Sequence, residues 1–262
     1  MDLGMNVGAL RREVGRYLGF DRDPANWGTN ETQDVWDIID SGLRQFYRPP
    51  RLEGEVISYQ WSFLKPFFSI NLVPDQEDYD MPSDFAGLDG SLYYQFNDYS
   101  TSTIQIVNEA FILGLRQSTW YETTQETPKY AAFTPLQVNG IQQQVQRMLV
   151  WPKPDAAYTI KGKYYVRQRT LRDDTEIPSG GPDHAETIKC SCLAAAEAHL
   201  NDEAGGPQYQ LFIRQLQSSV DFDRRATSPM NVGYNRDRES FNDQDQGYIR
   251  STRLTRYDKF PE

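Results

Sequence analysis

The chain is poor in the residues that carry redox and metal chemistry, with two cysteines and two histidines among 262 residues. Cys190 and Cys192 cannot build a disulfide framework. They stand two apart on a stretch of helical spacing, where such positions point to different sides. They read as small packing thiols, and the chain reads as one assembled in a reducing compartment. His184 and His199 are too few for a metal centre, and no C-x-x-C or H-E-x-x-H spacing exists. His184 and Glu186 resemble the opening of a deaminase H-x-E signature, but no P-C-x-x-C follows. His184 is therefore expected at a helix start, and His199 in a helix-packing face. G-x-S-x-G and phosphate-cradling glycine loops are missing too. The acidic pairs Asp21/Asp23 and Asp173/Asp174 sit among turn residues and read as solvated turns. No catalytic residue, metal ligand or cofactor is expected, so the chain reads as a non-enzyme.

Long apolar runs are absent as well. No stretch of ~18 apolar residues is present to span a membrane. Residues 1–20 are amphipathic, carry Arg11, Arg12 and Arg16, and lack the cleavage pattern of a signal peptide. A soluble, unprocessed protein is expected.

Positive charge is in deficit: 27 Lys+Arg face 37 Asp+Glu, a formal charge of −10. From Ala226 onward six bases meet six acids, so the whole deficit lies in residues 1–225. So acidic a body should not grip nucleic acid, because phosphate affinity scales with the number of Lys and Arg contacts. What the chain has in plenty is aromatic rings: 16 Tyr, 13 Phe and 5 Trp. About half serve a core; the rest suit subunit contacts, where Tyr and Trp are enriched.

Periodicity divides the chain into helices, strands and helices again. Leu3, Val7, Leu10, Val14, Tyr17 and Leu18 share one helical face that stops at Gly19. A second helix starts with Thr29 or Asn30 as cap, carries Val35, Ile38, Ile39, Leu43 and Phe46, and ends at Pro49-Pro50. The period then changes to two. Ile57, Tyr59, Trp61 and Phe63 predict a half-buried strand, and Phe68, Ile70 and Leu72 another. A turn at 74–76 predicts a return strand beginning at Tyr79. Further strands are expected at 92–96, 103–107, 130–133, 145–151 and 158–166, with a short helix capped by Asn108 between them. Asp183, followed by Glu186, reads as the cap of a helix whose face holds Ile188, Cys192, Leu193, Ala195, Ala196, His199 and Leu200. Gly205-Gly206-Pro207 breaks it, and a last helix ends near Arg225. The expected fold class is α+β: a helical bundle (1–51 and 175–226) with an inserted antiparallel β-sandwich or small β-barrel domain (52–174).

Residues 227–262 follow no period and read as disordered on composition. Their rings and cations instead suit an extended C-terminal docking arm ordered by another surface. The residues expected to dock are Tyr234, Arg236, Arg238, Phe241, Tyr248, Ile249, Arg250, Arg253, Leu254, Arg256, Tyr257 and Phe260.

Several runs together carry a resemblance: LRREVGRY at 10–17, DVWDIIDSGLRQFYRPP at 34–50, YQWSFL at 59–64, YDMPSDF at 79–85, and WPKP at 151–154 with Tyr158. In order and spacing they resemble the head-to-tail adaptor (connector) proteins of tailed bacteriophages, over residues 10–200. The resemblance implies a structural virion protein at the head–tail junction, assembled in the host cytoplasm into a homo-oligomeric ring, usually of twelve copies. It implies a portal protein above, a tail or nozzle protein below, and DNA passing through the lumen without specific binding. Other expectations stay open beside it. One is a different ring of the tail, either tail-tube or nozzle. Another is a glycan- or receptor-binding β-protein using Trp61, Trp120 or Trp151 as stacking platforms. A third is a virion hydrolase, for which no carboxylate pair stands out.

Overall fold

The computed structural model describes residues 4–95, 103–117, 125–136, 145–201 and 205–227. Helix α1 (Val7–Leu18) starts where the Asn6 side chain accepts the Ala9 N–H at 2.9 Å. It stops at Gly19, whose φ of 83° suits a residue without Cβ. Helix α2 (Thr29–Tyr47) is not capped by Thr29 or Asn30. Gly28 precedes it, and the Gly28 N–H donates to the Glu31 carboxylate at 2.7 Å, the reach-back half of a capping box.

Among the described residues seven strands follow: β1 (Phe67–Leu72), β2 (Asp78–Asp80), β3 (Phe85–Tyr94), β4 (Thr103–Ile106), β5 (Tyr130–Leu136), β6 (Val145–Trp151) and β7 (Tyr158–Val166). They form one sheet in the order β1-β7-β3-β4-β5-β6-β2. The expected antiparallel sheet is in fact mixed, because β4 and β5 run parallel. Helix α3 (Glu109–Arg116) lies between them in the chain and supplies the crossover that parallel neighbours require. Asn108 caps α3 as expected, accepting the Ala110 N–H at 2.9 Å.

The return strand is also placed differently. Tyr79 pairs with Met148 of β6, not with β1. The turn before it is drawn across the sheet, since the Asp75 N–H donates to the Pro154 carbonyl at 3.0 Å. The two edges of the sheet, β1 and β2, are therefore consecutive in the chain. The Tyr79 hydroxyl joins them, accepting the Val73 N–H at 3.0 Å and donating to the Gln76 carbonyl at 2.8 Å. The result is a nearly closed, barrel-like sheet. Its inside holds Phe85 stacked on Tyr164 and on Phe133, with ring centroids 5.5 and 5.4 Å apart. Ile112 of α3 covers Ala132 and Leu149 from outside. Three successive residues of β6, Met148, Leu149 and Val150, are consequently buried where alternation alone would bury every second one.

The second core is helical. It joins α1, α2, α4 (Ala185–Asn201) and α5 (Pro207–Thr227). Helix α4 is buried on more than one side, which explains its weak amphipathicity and why Cys190 and Cys192 are both hidden. The packing face expected for it is only partly correct. Ile188, Cys192 and Ala196 are buried, but His199 and Leu200 are exposed because the last turn runs past its partners. Asp183 does not cap it. That residue sits in a 3-10 turn, Pro182–His184, which leads directly into the helix. Against α2 the approach is close: a Cβ on Gly42 would lie 2.6 Å from the Cys192 Cα. Ser191 Oγ donates to the Gly42 carbonyl at 2.7 Å across the same contact.

The strand expected at 57–63 does not form. Only a 3-10 turn, Ser62–Leu64, occurs there, and Trp61 is 1% exposed inside the helical core. Its alternation reflects an extended segment laid on helices: Tyr59, Trp61 and Ser62 bond to α2 and α5, while the Gln60 side chain reaches the sheet, accepting the Tyr165 hydroxyl at 2.6 Å.

Candidate functional site

Two segments join the helices to the sheet, and polar side chains fix both. On the way in, Asp223 of α5 takes the Tyr59 hydroxyl at 2.7 Å, the Ser62 N–H at 2.9 Å, and the Ser62 hydroxyl. The Trp61 indole N–H donates to the Phe46 carbonyl at 2.7 Å. Burial pushes the Tyr59 hydroxyl well above its usual range, and Asp223 beside it adds to the shift. On the way out, the carbonyls of Glu176 and Asp174 receive the Val7 and Gly8 N–H groups at 2.9 and 3.0 Å, filling two of the open donors of α1. Arg172 forks onto Asp40 at 3.0 and 2.6 Å, and one guanidinium nitrogen of Arg11 donates to both Asp174 oxygens at 2.8 and 2.9 Å. Both guanidiniums lie over the Trp36 ring, 4.8 Å (Arg11) and 5.1 Å (Arg172) from its centroid.

The residues weighed for chemistry are embedded in this joint. His184 lies among the Phe46, Trp61, Phe63 and Phe222 rings, 4.9 Å from Trp61. Desolvation lowers its pKa, with Asp223 and Asp183 opposing, so the neutral ring is favoured. Burial pushes the Cys192 thiol up to about 12, which leaves it a poor nucleophile. Among the described residues no group of three or more metal-ligating side chains comes together. Trp61 cannot serve as a sugar platform because it is enclosed, and Trp151 is half-buried against Tyr130. Trp120 lies outside the described residues, as does every docking residue from Tyr234 to Phe260.

What the surface offers is contact area. Val56 and Ile57 are 85% and 73% exposed, and the Glu55–Arg224 ion pair at 2.8 Å ties their loop to the end of α5 that bears exposed Phe222. Phe111 and Leu113 project from the outer side of α3, with Ile106 exposed on the neighbouring strand. Phe67 stands out from the edge strand β1 at 66% exposure. Grouped exposed apolar side chains mark interaction surfaces. Their signal was present in the sequence, but exposure separates them from core residues and spacing does not.

A family model described as SU10 adaptor protein matches residues 5–233. The chain belongs to this adaptor family. The resemblance to phage head-to-tail adaptors read from residues 10–200 is thereby borne out, and the adaptor is a structural component of a phage virion. No curated protein matches the adaptor's sequence. Among its described residues no helix is long and apolar enough to cross a membrane.

Proposed function

We propose that the chain forms a homo-oligomeric ring, usually of twelve copies, that joins the portal to the tail and lines the DNA channel. The observation that carries this reading is the family match across residues 5–233. Physical features support it. A body with ten surplus carboxylates lets DNA slide without binding its phosphates. The exposed apolar groups on α3, on the loop at 55–57 and on β1 supply contact surface for neighbours. In this reading residues 1–51 and 175–226 act as one helical bundle and 52–174 as the inserted β-rich domain. Residues 227–262 act as an arm that docks on the portal or on a neighbouring subunit. Assembly takes place in the host cytoplasm.

The test is the mass of the purified full-length chain alone and after mixing with its portal, beside a chain ending at Thr227. A ring-sized complex that needs both the portal and the arm is the expected result. A full-length chain that stays monomeric with portal present overturns the adaptor ring. A shortened chain that assembles equally well removes the arm from the reading and leaves the ring.

A further inference from the structure

Where the C-terminal turn of α2 meets β7, two adjoining hollows of about 420 and 270 Å3 form one open groove. Tyr47, Arg48, Leu64 and Val166 line both, and Arg44 and Arg167 line the smaller. Every charged residue lining the groove is an arginine; among the described residues no carboxylate lines it. That is unexpected in a body whose acids outnumber its bases by ten. Elsewhere the adaptor's arginines find carboxylates, as in Arg11–Asp174, Arg147–Asp80, Arg172–Asp40 and Arg224–Glu55.

Arg44 and Arg48 are exposed and, among the described residues, have no carboxylate within ion-pair distance. Arg44 lies in the last turn of α2 and Arg48 caps the helix four positions on, a spacing at which like charges repel. The end of a helix dipole eases that repulsion only in part. A carboxylate bound between them relieves it, because a guanidinium fork matches a carboxylate in two parallel hydrogen bonds. The floor between the arginines is aromatic and aliphatic: Tyr47, Leu64, Val166 and, further along, Tyr165.

We propose that this groove is a docking site for an extended acidic peptide segment of a partner protein, one that alternates carboxylates with aromatic or aliphatic side chains. The carboxylates pair with Arg44 and Arg48 while the apolar side chains enter the two hollows. Charge complementarity selects this occupant. A nucleic acid is disfavoured, because two arginines neutralise too few phosphates on a chain whose net charge is −10. A second hollow, lined by Arg12, Arg16, Phe20 and Arg22, is less suited, since Arg16 is already held by Glu13 at 3.0 Å. It provides the control.

The test is fluorescence anisotropy on the full chain with three probes of equal length. These are a short peptide alternating glutamate with phenylalanine, its glutamine counterpart, and a single-stranded oligonucleotide. The acidic peptide is expected to bind best, weakening with salt. Arg44→Glu with Arg48→Glu should weaken it by about tenfold or more. Arg44→Gln with Arg48→Gln should weaken it less, and Arg12→Glu with Arg22→Glu hardly at all. Circular dichroism confirms that each variant is folded, which exposed arginines permit. Equal binding of the glutamine peptide, preference for the oligonucleotide, or an equal loss in the Arg12/Arg22 variant each overturns the proposal. Portal-driven assembly is scored separately, so a lost peptide site and a lost ring remain distinguishable.

Discussion

The sheet and the helices of this protein are held together in different ways. The sheet is built from one continuous stretch, β1 to β7, and its interior is almost wholly apolar, with Phe68, Phe85, Phe133 and Tyr164 at the centre. The helical core is assembled from both ends of the described chain and from the segments that enter and leave the sheet. Its closure depends on polar ties between residues far apart in sequence. Ser62 reaches Asp223 across 161 positions, and Arg172 reaches Asp40 across 132. Strand pairing specifies the sheet through its backbone. Individual side chains specify the helical core, and such a core should be the more sensitive to single substitutions.

The largest test of that difference is Trp61→Ala. It removes a buried ring and leaves the Phe46 carbonyl without its indole donor. A loss of about 3–5 kcal/mol is expected in denaturant unfolding. If Trp61 merely lay in a linker, the loss would fall below ~1 kcal/mol. Phe85→Ala, its counterpart in the sheet, should cost a similar amount, and the two losses should add if the cores are energetically independent. A paired glycine test is next. A Cβ at Gly42 meets backbone, the Cys192 Cα at 2.6 Å, whereas one at Gly162 meets the movable ends of Leu92 and Phe68 at 2.8 and 2.9 Å. Gly42→Ala should therefore cost at least the ~1–3 kcal/mol of ordinary overpacking, and Gly162→Ala clearly less. Equal melting shifts would remove the distinction between a rigid helix contact and a yielding sheet interior.

The polar ties themselves should rank below these. Asp223→Ala leaves the Tyr59 hydroxyl and the Ser62 N–H without their acceptor, at a cost of about 1–3 kcal/mol. Asp174→Ala breaks a more exposed pair with Arg11 and should cost under ~1 kcal/mol. A chevron analysis of both variants would show whether the entry segment matters more than the exit segment.

The parts legible in the sequence are those governed by local rules. Gly19 stops α1, Asn108 caps α3, β1 and β7 follow their apolar alternation, and β5 and β6 form where they are expected. The parts that misled depend on distant partners. The alternation at 57–63 describes an extended chain equally well whether its neighbour is a strand or a helix. Nothing local says that Tyr79 pairs with β6, since Pro154 draws the turn across the sheet. The faces of α4 were ambiguous because neighbours on more than one side bury it, which erases the stripe that periodicity detects. The arginine groove could not be read at all. Arg44 and Arg167 lie more than a hundred positions apart and meet only once the sheet docks on α2.

The smallest expected effect is a pH dependence confined to one core. Both histidines of the chain, His184 and His199, belong to α4 or to the turn that leads into it, and only His184 is buried. Desolvation lowers its pKa, so the folded chain holds it neutral where the unfolded chain would bind a proton. The stability this contributes is complete above the unfolded value of about 6.5 and is lost as pH falls below it. Between pH 7 and about 5.5, above most carboxylate titrations, unfolding free energy should decline with pH in the native chain and stay flatter in His184→Leu. Hydrogen exchange locates the effect: amides of α4 and α5 should lose protection before those of β3 and β7. If sheet and helices lose protection in step, the two cores unfold as one cooperative unit, and their different bonding has no separate thermodynamic consequence.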